Sequence, residues 1–207
     1  MPAPSTGVRE AVQPSEPLSP ANAGEICLRQ SANPTDYISD EAMARRTALR
    51  RASCDMAFAA HPQDTRFKVA VARALPHEQK AQSIALLREA AADGDAEANY
   101  EIYEYYKSWD RGDLDRKQLV TRAEADRALR KAAELGHPFS TQMLAVLLDR
   151  GETVKRDPAA ARYWAERAVA NPAKDASKAD LLVLLGRLLA ASDDPQERGR
   201  GLEILEN

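Results

Sequence analysis

Residues 143–169 read MLAVLLDRGETVKRDPAAARYWAERAV and predict two antiparallel helices with clear start and stop signals. The first helix has a periodic apolar face and ends at Gly151. The second begins at Asp157, where an N-cap belongs, and Pro158 follows as its first helical residue. Small alanines share a stripe with Trp164 on this second helix, so we expect the two backbones to approach closely while the indole supplies apolar area.

The same pattern occurs earlier in the chain. Ala128 takes the position of Trp164 within residues 125–136, and Leu86 takes it within residues 84–94. The later two anchors are 36 residues apart and the earlier two are 42 apart. A period in this range predicts a helical solenoid.

The most complete copy has a specific residue pattern. Its members are Leu144, Ala145, Leu148, Gly151, Val154, Asp157, Ala161, Trp164, Arg167 and Ala168. This pattern resembles a Sel-one-like repeat, a branch of the tetratricopeptide superfamily, although Ala145, Thr153 and Val169 replace two glycines and an alanine that the family usually has. The resemblance covers roughly residues 66–207, including a degenerate fourth copy and a C-terminal capping helix. It implies an all-α, right-handed α-solenoid of antiparallel helix pairs.

Two further regions precede the predicted array. Residues 1–24 contain five prolines and predict a disordered tether. Polyproline spacing within this segment leaves a proline-rich ligand as a less favoured alternative. Residues 25–65 predict an N-terminal helical region, in which a long helix runs through residues 42–60 before His61 and Pro62 end it.

The long helix of this region has an apolar and a basic side. The predicted inner face includes Met43, Leu49, Ala52, Met56 and Ala59, and the polar face carries Arg45, Arg46, Arg50 and Arg51. The arginines can form a solvated helix face or a site for an anion or an acidic partner, and we favour the solvated face.

Cys27 and Cys54 are the only cysteines in the chain. Their spacing does not fit a CxxC motif, and three separated histidines do not complete a zinc site. The two remaining interpretations are a pair of buried free thiols and a single disulfide. We favour the disulfide, which would indicate an oxidising compartment. We therefore expect a periplasmic or otherwise exported protein, with the cytoplasm as the alternative, although the first residues do not form a secretory signal.

Aromatic residues are concentrated in the segment 96–109, which holds Tyr100, Tyr103, Tyr105, Tyr106 and Trp109. One helix cannot bury five such rings on one side, and the repeat pattern assigns Tyr106 to the core. In tetratricopeptide-like arrays the first helix of each pair lines the concave surface, so the resemblance implies that some rings lie in a groove. The predicted partner-binding residues are Tyr103, Tyr105, Trp109 and, in the following loop, Arg111. The alternative is that the rings fill gaps beside small alanines.

Composition and motifs narrow the function. The net charge is −3, which does not suggest a nucleic-acid partner, and no run of apolar residues is long enough to span a membrane. Phosphate-loop, HExxH and GxSxG motifs do not occur, and His137 precedes a proline at a helix boundary as a turn residue would. We therefore expect no catalytic, cofactor-binding or metal-binding residues.

The resemblance supplies the functional expectation. It implies a non-catalytic protein-binding module, an adaptor or regulator that presents a helical groove to a protein partner. The alternative is an immunity protein that binds and inhibits a bacterial toxin enzyme of a secretion system.

Overall fold

The computed structural model describes residues 18–30, 40–107, 119–151, 154–173 and 177–206. Within these ranges the regular structure consists of α-helices and one 3-10 turn, without a strand, so the predicted all-α fold class is confirmed. The helices are α1 Pro20–Gln30, α2 Asp40–Ala60, α3 Thr65–Ala74, α4 Lys80–Ala92, α5 Ala96–Lys107, α6 Arg122–Glu134, α7 Pro138–Arg150, α8 Pro158–Ala170, α9 Lys178–Ala190 and α10 Pro195–Glu206. None of these helices is long and apolar enough to cross a membrane.

The chain divides into two compact units, Met1–Asp93 and Gly94–Asn207. This division places α3 and α4, which contain the first predicted repeat, in the first unit. The domain boundary predicted between residues 65 and 66 marks the start of the repeat array. It is a different boundary from the one between the two units, and it stays a prediction.

A disulfide between Cys27 of α1 and Cys54 of α2 lies at the centre of the first unit. Both cysteines are fully buried in a cluster that includes Ala23, Ala57 and the ring of Phe67. Because most members of this cluster are small, packing area is limited, and the covalent bond adds a constraint on the unfolded chain. The structure thus contains the disulfide that was favoured from the sequence.

Helix α1 begins at Pro20, inside the segment that the proline content predicted to be a tether. The backbone N–H of Ser19 donates to Asn22 Oδ1 at 2.8 Å, and Ala23 is fully buried in the disulfide cluster. Residues 20–24 are consequently helical rather than disordered, because they pack onto the disulfide. The tether prediction for residues 1–17 lies outside the described residues.

Helix α2 buries a different face from the predicted one. Ser53, Cys54 and Ala57 are its buried residues, whereas Met43 is 45% exposed. The other members of the predicted face are exposed or only partly buried, namely Leu49, Ala52, Met56 and Ala59. The disulfide explains the difference, since it turns the Cys54 side of the helix toward α1.

Arg45 and Arg51, two of the four arginines on the polar face of α2, form intrahelical ion pairs. Arg45 pairs with Glu41 at 3.1 Å and Arg51 pairs with Asp55 at 3.9 Å, and all four side chains are more than 40% exposed. Exposed pairs of this kind contribute little to stability. For Arg45 and Arg51 this agrees with the solvated face favoured from the sequence, whereas the Nε of Arg50 is buried.

The second unit is a series of helix hairpins. Helix α5 pairs with α6, α7 with α8 and α9 with α10, and successive hairpins contact each other through α6–α7 and α8–α9. The last two hairpins share one core, against which Trp164 packs. Its buried members include Ala145, Leu148, Ala161, Ala165, Leu185 and Leu189. Consecutive packing of hairpins is the arrangement of an α-solenoid.

The predicted signals at the ends of α7 and α8 are confirmed. Gly151 closes α7 in the left-handed conformation with φ of 70°, which favours glycine. Asp157 caps α8 by accepting a hydrogen bond from the Ala160 N–H at 2.9 Å, and Pro158 occupies the first turn. The loop between the two helices is therefore fixed at both ends by local chemistry.

We expect the double variant Cys27→Ala/Cys54→Ala to lower the free energy of unfolding by about 3 kcal/mol, because the open chain regains loop entropy. Urea denaturation under non-reducing conditions measures this difference. As a control, adding a reductant should destabilise the unaltered protein and leave the variant unchanged. Equal stability of the two proteins without reductant would contradict the assigned role.

We expect Gly201→Ala to lower the free energy of unfolding by about 2 kcal/mol, because α9 and α10 touch through their backbones at this glycine. A Cβ at residue 201 would lie 2.6 Å from the Gly186 carbonyl oxygen. Gly199 of the same helix is the matched control, since a Cβ there meets nothing within 4 Å. Gly199→Ala should be neutral or slightly stabilising. Urea denaturation followed by circular dichroism tests both, and equal effects would refute the close approach.

Candidate functional site

The predicted binding residues of α5 do not all reach the surface. Tyr103 is only 8% exposed, and burial raises the pKa of its phenol, with smaller contributions from the charges of Glu104 and Asp126. Tyr105 is half-buried. Trp109 and Arg111 lie outside the described residues. Partner binding by these four residues stays a prediction.

Tyr100 occupies the opposite side of α5. The helix buries Ala98, Asn99, Ile102 and Tyr103. Glu97, Tyr100, Glu101 and Glu104 are spaced three and four residues apart, so they share the other face. The sequence contains this spacing, but the predicted binding residues included the buried Tyr103 and not Tyr100.

The side chain of His137, at the start of α7, contacts α5. As the N-cap of α7, its Nδ1 accepts a hydrogen bond from the Ser140 N–H at 3.2 Å. Nδ1 therefore carries no proton there, and Nε2 donates to Glu97 Oε2 at 3.0 Å. One imidazole thus satisfies a free N–H of a helix terminus and fixes a carboxylate on the neighbouring hairpin.

Three rings stack where these helices meet. The Tyr100 ring lies 4.3 Å from the His137 ring and 6.0 Å from the Phe139 ring, with interplanar angles of 24° and 19°. His137 is buried, whereas Phe139 is 40% exposed and Tyr100 is half-buried. We call Tyr100 and Phe139 the aromatic pair. It presents apolar surface that is held in place by the buried histidine beneath it.

The surroundings of the aromatic pair are acidic. Burial raises the pKa of the Tyr100 phenol, and the negative charges of Glu104, Glu101 and Glu97 raise it further. Glu104 pairs with Lys107 at 3.5 Å. We call Glu97, Glu101 and Glu104 the acidic stripe.

The contact between Ser140, His137 and Glu97 superficially resembles a hydrolase relay. Ser140 Oγ lies 3.0 Å from His137 Nδ1. However, Ser140 is fully buried and its own backbone N–H already donates to the same nitrogen. A substrate cannot reach this hydroxyl, so the arrangement acts as a helix cap. Within the described ranges, no group of three or more His, Cys, Asp or Glu side chains could hold a metal ion.

A second aromatic surface lies on α8. The rings of Tyr163 and Trp164 meet edge to face at 5.0 Å, and Tyr163 is 51% exposed. The Arg167 guanidinium lies 5.7 Å from the Tyr163 ring centre and 5.5 Å from that of Trp164. These rings therefore have a cation–π partner within their own helix.

The helix packing defines the class of this protein as an all-α helical-repeat protein. No family model and no curated protein matches the chain. Among solved structures, it is similar to a Sel1 repeat protein from Oxalobacter formigenes, at 16% identity and a TM-score of 0.35. The match covers 91% of this chain and 62% of that one, so this chain spans less than two thirds of that protein. The fold assignment depends on the helix packing and not on this similarity.

We expect His137→Ala to lower the free energy of unfolding by about 1 kcal/mol, because α7 loses its N-cap. His137→Asn is the conservative control, since asparagine is a good N-cap and should recover the part of the loss that comes from capping, but not the contacts with Glu97 and Tyr100. Urea denaturation of the three proteins measures the effect. If alanine is as stable as histidine, the capping role is wrong.

Proposed function

We propose that this chain is a non-catalytic protein-binding module, an adaptor or regulator that uses the aromatic pair on α5 and α7 to hold a protein partner. The observation that carries the proposal is the exposure of Phe139 beside Tyr100, on a base fixed by His137. Aromatic side chains are common anchors of protein interfaces. A rigid, exposed ring loses little conformational entropy on binding.

The stacked hairpins of the second unit support this function physically. Helices α5 and α7 are held by their own hairpin partners and by the contact from His137 to Glu97. The binding side chains therefore project from regular helices, which hold them more firmly than a loop would. A partner can meet this surface with little rearrangement of the backbone.

The disulfide supports a location for this activity. Disulfides persist in oxidising compartments and are rare in the cytosol of most organisms. We therefore propose that the protein works after export, with the periplasm as the favoured compartment.

A second candidate function shares that compartment. An immunity protein that blocks a toxin enzyme would also use a rigid helical surface, but it would need a larger and tighter interface. Affinity separates the two functions, since an adaptor is expected to bind at about micromolar strength and an inhibitor at about nanomolar strength or better.

Capture of the partner from the source cell tests the proposal. We expect the unaltered protein, used as bait with chemical cross-linking, to retain a partner that Tyr100→Ala/Phe139→Ala loses, with affinity reduced about tenfold or more. The matched control is Tyr163→Ala/Leu202→Ala, which removes two side chains that are each 51% exposed on α8 and α10. Equal loss in both variants, or in neither, would move the binding surface away from the aromatic pair.

A further inference from the structure

The chemistry around the aromatic pair constrains what can bind there. The ring of Phe139 provides exposed apolar area, and the neighbouring face of α5 carries three carboxylates. The side chains of Glu97 and Glu104 remain 42% and 32% exposed, so their charges act on the same surface as the rings. An occupant must therefore combine apolar contact with compatible charge.

Charge complementarity favours a cationic occupant. A carboxylate brought against the acidic stripe would be repelled, and a purely apolar segment would desolvate charged groups without replacing their interactions with water. An arginine or lysine avoids both costs, since its stem can lie on an aromatic ring while its charged end meets a carboxylate. Arginine suits the surface best, because its planar guanidinium stacks on aromatic faces and pairs with carboxylates.

The same unit contains an intramolecular example of this contact. Arg167 lies over the rings of Tyr163 and Trp164, and its Nη1 donates to the Tyr163 hydroxyl at 3.2 Å. A guanidinium thus satisfies both an exposed ring and a polar atom on its rim. At the aromatic pair the polar atoms beside the ring are carboxylates, which are stronger acceptors.

From this juxtaposition we propose that the aromatic pair and the acidic stripe together bind a basic segment of a protein partner. Arginine side chains of that segment lie against Phe139 and Tyr100, and their guanidinium groups pair with Glu101 and with Glu104, where an arginine replaces Lys107 as the partner. The inference rests on the proposed function, and it adds the charge and residue type of the partner segment. Binding of this kind weakens as salt increases, since exposed ion pairs are screened.

Fluorescence anisotropy with a labelled peptide of alternating arginine and leucine tests the inference on the full chain. Two further peptides, in which glutamine or glutamate replaces arginine, serve as probes of charge. We expect the arginine peptide to bind, and the other two to bind at least about tenfold more weakly. Raising the salt from about 0.05 to 0.3 M should weaken the arginine peptide further. Equal binding of the glutamine peptide, or no binding of the arginine peptide, would overturn the inference.

Charge-neutralising variants locate the binding. Glu101→Gln/Glu104→Gln should weaken the arginine peptide about fivefold, and Phe139→Ala should weaken it independently. The matched control Glu134→Gln/Glu166→Gln changes the net charge of the second unit by the same amount on α6 and α8. Equal weakening by the control would mean that overall charge, and not this surface, attracts the peptide.

The two proposals can fail separately. If the partner captured from cells is lost by Tyr100→Ala/Phe139→Ala but retained by Glu101→Gln/Glu104→Gln, the aromatic pair binds a partner and the basic-segment inference is wrong. If both variants lose it while Glu134→Gln/Glu166→Gln retains it, the basic-segment inference is supported.

Discussion

Close approach of paired helices through small residues is the constraint on which the second unit depends. Gly201 allows the backbones of α9 and α10 to touch, and fully buried alanines occupy the facing positions of α7 and α8. Small residues bring backbones together but bury little apolar area each, so the unit needs large side chains at the edges of the contact. Trp164 packs at such an edge. Trp164 is only partly buried there.

His137 links this packing to the candidate site. The same ring caps α7, contacts Glu97 and stacks on Tyr100, so three different interactions fix one position. A cap residue with only a short side chain could accept the Ser140 N–H, but it would not support the Tyr100 ring. The surface geometry at the aromatic pair therefore follows from the chemistry of a helix terminus.

The sequence predicted the elements well because their signals are local. Caps such as Asp157, the stop at Gly151 and the small-residue stripe of α8 depend on neighbours within a few residues. The disulfide could only be favoured over two free thiols, since nothing local shows that Cys27 and Cys54 meet. Which face of each helix is buried was less predictable. The predicted inner face of α2 was only partly right: Met56 packs against the disulfide cluster, but Met43 is 45% exposed and Cys54, on another side of the helix, is fully buried. In α5, the surroundings of the Tyr100 ring depend on His137, which stacks on it from 37 residues later in the chain.

The two aromatic surfaces of the second unit differ in how their charge is satisfied. On α8 the rings of Tyr163 and Trp164 carry a cation from their own helix, so an incoming arginine would compete with Arg167. On α5 and α7 the rings are accompanied by three carboxylates, one of which, Glu104, pairs with Lys107, so an incoming arginine would contact a ring and would compete with this lysine at Glu104. If the inference holds, a basic segment would prefer the surface of α5 and α7, because its carboxylates outnumber its cations, to the surface of α8, where Arg167 already lies over the rings. The proposed specificity would thus depend on which helix carries the acids, while the stacked hairpins hold the helices of both surfaces.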